Sequence, residues 1–591
     1  MKDYGWFNNK VDTVLIVPHE IVLNEDSDVM FREKNIENIE TQIKALPTNF
    51  FKMRFFRENI GVLILKSYLS KFNYSSEIVY MDEYINTQVD IIDKIISVAP
   101  AVIGISIMYN LHLINAIQIT IDLRKNGYTG HIVYGGPCAT LLYEELLTNI
   151  LEIDSIALGE GEKTLRFLVE YIKEKKTLSD VPGLAIRFNG VIKKSAPSII
   201  ENLDDLPFAN RDYLELFKAK LGNMMTVCSI YTSRGCAGKC TFCSAPSLGE
   251  YSPIPWRCRS VSNLLNEMSL LVEQYGIKYF DIIDENFFGY GANAYMRLED
   301  LANGIIENNL KINFRGEIRA DANLNYDILM KLKNAGLTDI LLGIESGSQS
   351  VLNRWQKGTK ISKIKSVIDL VQTMGFNFDP AFIMVDPITT VDEFLESIDF
   401  IVDTKIYKCE KPLYLFNEMI IFPGTRIYKQ FLKDGVINMS EAIPAISIKS
   451  SQQDINNFCQ KISFCNYIIK DKHIRSMWTT LKGKVNYLTD FVEIRMPLIL
   501  SELNKRFSNQ DLLGKELIIN KIRLYNKWLK VLSELTIELL MCTKGFLKNE
   551  IQENQLETSL QECIDNFSDN VLGEKIESFV ATCNSVLDSL N

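Results

Sequence analysis

The chain reads as an α/β protein in three successive regions. A doubly wound, Rossmann-like sheet domain covers residues 1–200. A linker over 201–225 leads to a partial (β/α)6 barrel over 226–435, and an all-α domain fills 436–591. Three observations predict this. Apolar β-branched runs alternate with amphipathic helical runs up to about residue 173. The same rhythm restarts at Cys228 in units of about 30 residues. After residue 435 glycine and proline thin out and long 3.6-period apolar stripes take over. A chain of 591 residues also exceeds what one core can organise.

In the N-terminal region, Val11 to Val17 is a β-branched apolar run stopped by Pro18, the pattern of a buried strand. Residues 19–59 are mixed and polar and give no clear element. Gly61 opens a helical pattern, Ser76 to Tyr80 is a second strand, and Ile91 to Val98 is helical. Ala101 to Ile107 forms a third strand, Ile114 to Arg124 a helix, and His131 to Tyr134 a fourth strand followed at once by Gly135-Gly136-Pro137. The helix Leu141–Leu147, the strand Ser155–Leu158, the loop Gly159-Glu160-Gly161-Glu162 and the helix Lys163–Lys173 complete the series. Such sheets bind ligands beyond the carboxyl ends of their strands. Ser106 to Asn110, Gly135-Gly136 and Gly159 to Glu162 stand there, and glycine lets backbone approach a flat ligand closely. Taken alone, the same glycines also suit ordinary strand-to-helix loops.

Leu203 to Tyr213 is short, polar and proline-containing, as a linker would be. The barrel region opens with a strand from Cys228 and then Thr232-Ser233-Arg234-Gly235. Next comes Cys236-Ala-Gly-Lys-Cys240-Thr-Phe242-Cys243. Three thiolates on one glycine-bearing loop can hold three irons of a cubane cluster. A structural zinc site would use four ligands, so three leave one metal corner open for a ligand. The plainer alternative is three buried thiols packing as small hydrophobes. Val261 to Tyr275 is an amphipathic helix. Further strands are read at Tyr279–Ile283, Asn313–Asp321, Ile340–Ile344, Ala381–Val385 and Leu415–Ile421. Asp284, Glu285, Asn286, Glu317, Arg319, Glu345 and Ser346 lie at strand ends on the side of the cysteine loop, where barrel sites form. In the C-terminal region an apolar stripe runs from Leu512 and Leu513 through Leu517, Ile518, Ile522, Leu524, Trp528 and Leu529 to Leu532 and Leu535, and four to six helices are expected. Trp478 and Trp528 read as core, and Cys459 and Cys465, with no other ligand near, do not suggest a second cluster.

The cysteine loop resembles the signature of the radical S-adenosylmethionine (SAM) superfamily, C-x3-C-x2-C with an aromatic before the last cysteine, here Phe242. The resemblance implies a 4Fe–4S cluster on Cys236, Cys240 and Cys243. Its open iron would chelate SAM, which electron transfer cleaves to methionine and a 5′-deoxyadenosyl radical. It also implies SAM contacts from Asp284, Glu285 and Asn286 (in Asp-Glu-Asn-Phe), from Glu317 and Arg319, and from Glu345 and Ser346. The chemistry agrees: a guanidinium pairs bidentately with a carboxylate, and a carboxylate accepts from a ribose diol. A second resemblance lies in the blocks APAVIGISIMYN, GHIVYGGPCAT and DSIALGEGEKTL, which look like the cobalamin-binding domain found before the radical SAM core in one branch. It implies a corrin over Ser106, Met108, Tyr109, Gly135, Gly136, Gly159 and Glu160, with the nucleotide tail threaded into the sheet. The D-x-H-x-x-G motif is absent, so no histidine is expected on cobalt; His19, His112 and His131 read as structural or surface residues.

The implied activity is a cobalamin-dependent radical SAM methyltransferase acting on an unactivated carbon, or a phosphinate phosphorus, of a natural-product or peptide substrate. A cyclase or other rearrangement enzyme with the same cofactors is the alternative, and a non-catalytic cobalamin sensor a third. A methylthiotransferase would need three more N-terminal cysteines, and only Cys138 precedes residue 200. The family uses an external electron donor of flavodoxin or ferredoxin type. A net charge of −10 argues against a general nucleic-acid binder. No run of eighteen apolar residues suggests a membrane span, and no apolar stretch near Met1 suggests a signal peptide. Twelve cysteines without such a signal fit a reducing, cytoplasmic compartment.

Overall fold

The alternation of the first strand explains how the sheet domain is covered. In β1 (Thr13–Val17) Leu15 points to one face and Val14 and Ile16 to the other, and the two faces belong to different apolar clusters. The computed structural model describes residues 10–18, 58–81, 88–214, 227–322, 324–409, 411–437, 445–463, 467–490, 532–548 and 553–568. After β1 come β2 (Ser76–Tyr80), β3 (Val102–Ser106), β4 (His131–Gly135), β5 (Ser155–Ala157), β6 (Leu184–Phe188) and β7 (Val191–Lys194), in the sheet order β2-β1-β3-β4-β5-β6-β7. The pairs from β2 through β5 are parallel, and β6 and β7 add an antiparallel edge. Strand order reverses between β1 and β3, the point at which such sheets open a ligand crevice. The helical run expected at Leu141–Leu147 is divided at Leu142 into Pro137–Leu141 and Tyr143–Asn149.

The stretch read as a linker is packed. Leu203, Leu206, Ala209, Tyr213 and Leu214 are buried, and so is Arg211. The Arg211 guanidinium lies 2.6 Å from Glu58 and donates to the Ser229 carbonyl at 2.8 Å, and Glu58 accepts from the Ser229 amide at 2.5 Å. These contacts fasten the sheet domain to the first barrel strand.

That strand is β8 (Val227–Ile230). The short strands β9 (Ser233–Arg234) and β10 (Arg257–Cys258) pair antiparallel and hold the cysteine loop between them. β11 (Tyr279–Ile282), β12 (Asn313–Arg319), β13 (Leu337–Glu345) and β14 (Asn377–Phe382) complete a parallel sheet ordered β8-β11-β12-β13-β14. At the sixth position a 3-10 helix, Pro412–Phe416, is followed by a single bridge between Val385 and Glu418. The outer helices carry ordinary stop and start signals. Val261–Tyr275 is capped by the Ser260 side chain and ends on Gly276 in the left-handed region, and Val391–Thr404 starts with a Thr390–Glu393 capping box.

The helical stretch after residue 436 is shared between the two α/β units. Ile446, Ile455, Phe458, Cys459 and Ile462 join the outer cluster of the sheet domain, with helix Gln452–Ser463 lying against Leu113–Lys125. Helices Lys472–Asp490, 532–547 and Glu553–Ser568 join the barrel cluster. The portion of the apolar stripe from Leu512 to Leu529, with Trp528, lies outside the described residues, as do Cys465 and His19; Leu532 and Leu535 are buried. Among the described residues no helix is long and apolar enough to cross a membrane.

Arg211 and Glu58 expose only 2% and 3% of their side chains, so removing one partner strands a buried charge. Arg211→Ala is expected to destabilise the protein by about 3–5 kcal/mol, measured as a fall in the denaturation midpoint.

Candidate active site

The cysteine loop is held from several sides. The Thr241 amide donates to the Trp355 carbonyl at 2.9 Å, and Phe242 meets the Trp355 ring edge-on with centroids 5.5 Å apart. Trp355 is itself fixed by its indole N–H on Asp386 at 2.9 Å. Phe242 therefore works here as a packing anchor for the loop. The Tyr290 hydroxyl lies 2.9 Å from Cys236 Sγ, and Arg319 Nη1 donates to Cys240 Sγ at 3.4 Å. Gly238 gives the Arg319 guanidinium room beside the loop, since a Cβ there would lie 2.7 Å from Arg319 Nη1 and 3.2 Å from Cys236 Sγ.

The strand ends divide the expected SAM residues into different roles. Asp284 is 1% exposed, and its carboxylate accepts from the Thr232 amide and hydroxyl and from the Ser233 hydroxyl. It is a brace for the chain entering the cysteine loop. Glu285 accepts from the Gly235 amide at 3.1 Å while its side chain stands open to the large cavity, and desolvation by the surrounding protein, with the Asp284 charge beside it, pushes its carboxyl above the usual range. Asn286 donates to the Gly289 carbonyl at 3.0 Å and Glu317 lines the cavity. Arg319 makes a two-pronged pair with Asp321 at 2.8 and 2.7 Å and also donates to the Lys357 carbonyl. Glu345 accepts from Lys357 at 2.7 Å and sits at φ 69°, a left-handed backbone rare for a residue with a side chain. Ser346 is buried and accepts from the Ser348 amide. Lys357 and Tyr290 carry no signal in the sequence; neither lies at a strand end or in a motif.

All seven residues assigned to the corrin, Ser106, Met108, Tyr109, Gly135, Gly136, Gly159 and Glu160, line one cavity of about 1360 Å³. The same cavity is walled from the barrel by Gly235, Glu285, Glu317 and Ala381. A second arm runs into the sheet domain between Leu15, Gly104 and Val133 on the strands and Ile60, Leu65 and Leu168 on the helices. Ser106 accepts from Asn59 at 2.9 Å, and the Met108 amide donates to His112 Nδ1 at 3.3 Å. Gly136 and Gly159 have φ of 93° and 74°, and a Cβ on Gly159 would come within 2.9 Å of Tyr251 Cβ. Burial holds the His131 imidazole down to about 4, and its ring shares a 2.7 Å hydrogen bond with Ser155.

Glu160 reaches across the junction. It pairs with Arg257 and lies 3.5 Å from Arg234, while Glu162 lies 2.6 Å from Arg234. Burial alone would raise the Glu160 carboxyl, but the two guanidinium groups outweigh it and hold it below the usual range. The corrin-side loop is thus tied to the strands that frame the cysteines.

The residues fit the groups expected of them. Cys236, Cys240 and Cys243 form no disulfide. Burial, reinforced by Cys240 and Cys236, pushes the Cys243 thiol up to about 12, and a coordinating metal is what deprotonates such a thiol. Among the described residues no three His, Cys, Asp or Glu gather to hold a single metal ion. The cavity, lined by glycine backbone and by apolar strand and helix residues of the sheet domain, suits a broad ring carrying a long tail.

Two family models match: the B12 binding domain over residues 51–169 and the radical SAM superfamily over 230–401. Among curated proteins, an uncharacterized methyltransferase of Pyrococcus horikoshii is 27% identical over 57% of this chain and 71% of its own. An anaerobic magnesium-protoporphyrin IX monomethyl ester cyclase of Synechocystis is 28% identical over 48% of this chain, and the match spans 56% of the cyclase. Among solved structures, the cobalamin-dependent S-adenosylmethionine radical enzyme OxsB with aqua-cobalamin bound superposes with a TM-score of 0.64 at 19% identity, covering 98% of this chain and 81% of that one. This last likeness concerns the fold.

Because Glu160 has a depressed pKa, its contribution to stability is present above its unfolded pKa and is lost as pH falls through the folded value. Arg257→Gln is therefore expected to move the acid-unfolding midpoint to higher pH, followed by circular dichroism. Asp284→Ala strands the Thr232 and Ser233 donors, at about 1–3 kcal/mol each. Iron bound per chain after anaerobic reconstitution is expected to fall by more than half, with cobalamin uptake retained.

Proposed function

We propose that this chain, which belongs to the cobalamin-binding radical SAM enzymes, is a methyltransferase acting on an unactivated carbon, or a phosphinate phosphorus, of a small-molecule or peptide substrate. The observation that carries the reading is the cavity onto which strand ends of both α/β units open; the cysteine loop, with Asn286, Tyr290 and Arg319, borders a second cavity of about 740 Å³. When bound, a reduced 4Fe–4S cluster with SAM supplies a 5′-deoxyadenosyl radical, and cobalamin supplies a carrier for methyl. An unactivated C–H bond has no acidic proton for ordinary base catalysis, which is the reason to carry both.

In this reading Cys236, Cys240 and Cys243 hold the cluster. Arg319 and Tyr290 steady two of the sulfurs, and Asp284 and Phe242 keep the loop in place. Glu285, Asn286, Glu317, Glu345 and Ser346 offer acceptors and donors to SAM. Gly135, Gly136 and Gly159 provide flat backbone under a corrin, with Ser106, Met108, Tyr109 and Glu160 at its edge. The clamp from Glu160 and Glu162 to Arg257 and Arg234 keeps the two cofactors on one side of the junction. An external one-electron donor of flavodoxin or ferredoxin type, and a reducing, cytoplasmic setting, belong to the same reading.

The cyclase relatives support a second reading, rearrangement or ring closure with the same cofactors. The test is anaerobic reconstitution with hydroxocobalamin, SAM and a reductant. Methyl transfer is expected to give S-adenosylhomocysteine together with 5′-deoxyadenosine. 5′-Deoxyadenosine without S-adenosylhomocysteine, in the presence of turnover, would instead favour rearrangement. Cys236→Ala, Cys240→Ala and Cys243→Ala are each expected to abolish cluster absorbance and SAM cleavage; wild-type cleavage in any of them removes the cluster assignment.

A further inference from the structure

Below the strand-end residues, the barrel arm of the cavity has an ionic floor. Asp281 on β11, Arg315 on β12 and Asp379 on β14 all line it, with Lys411, from the segment before the 3-10 helix, at its side. The Lys411 ammonium is 2.9 Å from Asp379. The Arg315 guanidinium is held loosely: it is 3.5 Å from Asp281, the outer edge of hydrogen bonding, and 4.0 Å from Asp379. The Arg315 and Asp281 side chains are only 6% and 10% exposed, so what they can still meet lies inside the cavity. None of the four belongs to the cysteine loop, to the strand-end set or to the corrin set. From Arg315 to Arg319, which touches Cys240, is four residues along one strand, about 13 Å at strand rise.

We propose that this layer binds the head group of the substrate, and that the head group is zwitterionic: a carboxylate beside a protonated amine, as in a free α-amino acid. The inference rests on the methyltransferase reading only in calling the ligand a substrate. The four charges that line the cavity here sum to zero, and Asp339, beside Arg315 on β13, does not line it and accepts from the Tyr279 and Thr338 hydroxyls. A ligand of one sign that took Arg315 or Asp281 from the other would leave the opposite charge buried and unpaired. A ligand carrying both signs exchanges one partner for another. Its carboxylate faces the loose fork of Arg315, whose planar donors match two oxygens, and its ammonium faces Asp281. The rest of the molecule then extends toward the cluster loop. Leu532, at the start of helix 532–547, also lines the cavity, so the helical stretch contributes to the wall that the ligand passes.

The experiment uses four probes that share an eight-carbon chain and differ in head group: L-2-aminooctanoic acid, octanoate, octylamine and 1-octanol. Binding is measured by calorimetry on the full chain, without SAM, reductant or cluster, so failure of the radical chemistry cannot affect it. Aminooctanoic acid is expected to bind at least about tenfold more tightly than each of the other three, roughly one re-formed buried pair. Arg315→Gln and Asp281→Asn are each expected to abolish that preference, and the double variant, which conserves net charge, to abolish it as well. Cobalamin uptake by the variants reports that they are folded, and Arg315→Lys, which keeps the charge without the fork, is expected to retain only a fraction of the preference. Equal binding of octanoate or octanol, a preference that survives in folded variants, or no binding of any probe would overturn the proposal. So would full displacement of aminooctanoic acid by SAM alone, which would assign the layer to the SAM site.

Discussion

The orientation of the two α/β units rests on a buried set of ion pairs across their junction. Glu160 is the N-cap and Glu162 lies in the first turn of the helix Gly161–Lys173 after β5, and Arg234 and Arg257 come from the two short strands that frame the cysteine loop. Carboxylate–guanidinium pairs are directional, and a buried one is costly to break on one side only. A second set, Arg211 with Glu58 and the Ser229 backbone, fixes the start of the barrel to the same sheet domain. With both sets in place, the carboxyl ends of the two sheets face each other across one cavity.

That arrangement gives each arm of the cavity its own work. The apolar arm into the sheet domain is bounded by mid-strand Gly104, where a Cβ would press Leu15 at 2.9 Å, and by helix residues such as Leu65 and Leu168. Width at the mouth comes from glycines, and polar reach at the strand ends from Glu285 and Glu317. The barrel arm descends to a paired ionic floor. A radical made at the cluster loop and a carrier on the sheet side would both meet a molecule anchored from below.

Much of this is legible in the sequence, for identifiable reasons. Parallel strands buried on both faces give continuous apolar runs, so β1, β3 and β4 stand out. The cysteine spacing and the glycine doublet after β4 are local signals that need no tertiary knowledge. The hairpin β6–β7, absent from the sequence reading, does carry one: Asn189-Gly190, both at positive φ, is the favoured two-residue turn between antiparallel strands. The strand–helix rhythm looks complete at Lys173, which hides it. Other features have no local signal. Glu160 looks like a loop acid facing a ligand, and only the fold brings Arg257 to it from 97 residues away. Asp284 looks like a ligand contact and is consumed by Thr232 and Ser233. Tyr290, Lys357 and the floor residues are scattered along the chain and converge only when the barrel closes. The sixth barrel position has an apolar run that reads as a strand, but Pro412 begins a 3-10 turn there and one bridge is formed.

The proposed chemistry requires that an iron–sulfur cluster on the cysteine loop and a corrin on the sheet domain lie close enough to act on one molecule. Electron paramagnetic resonance tests it directly on full-length protein loaded with both groups, since cob(II)alamin and the singly reduced cluster are each paramagnetic. The account predicts that reducing the cluster splits or broadens the cob(II)alamin signal through dipolar coupling, and that the effect vanishes in cluster-free protein. A spectrum that is the plain sum of two isolated centres would contradict it.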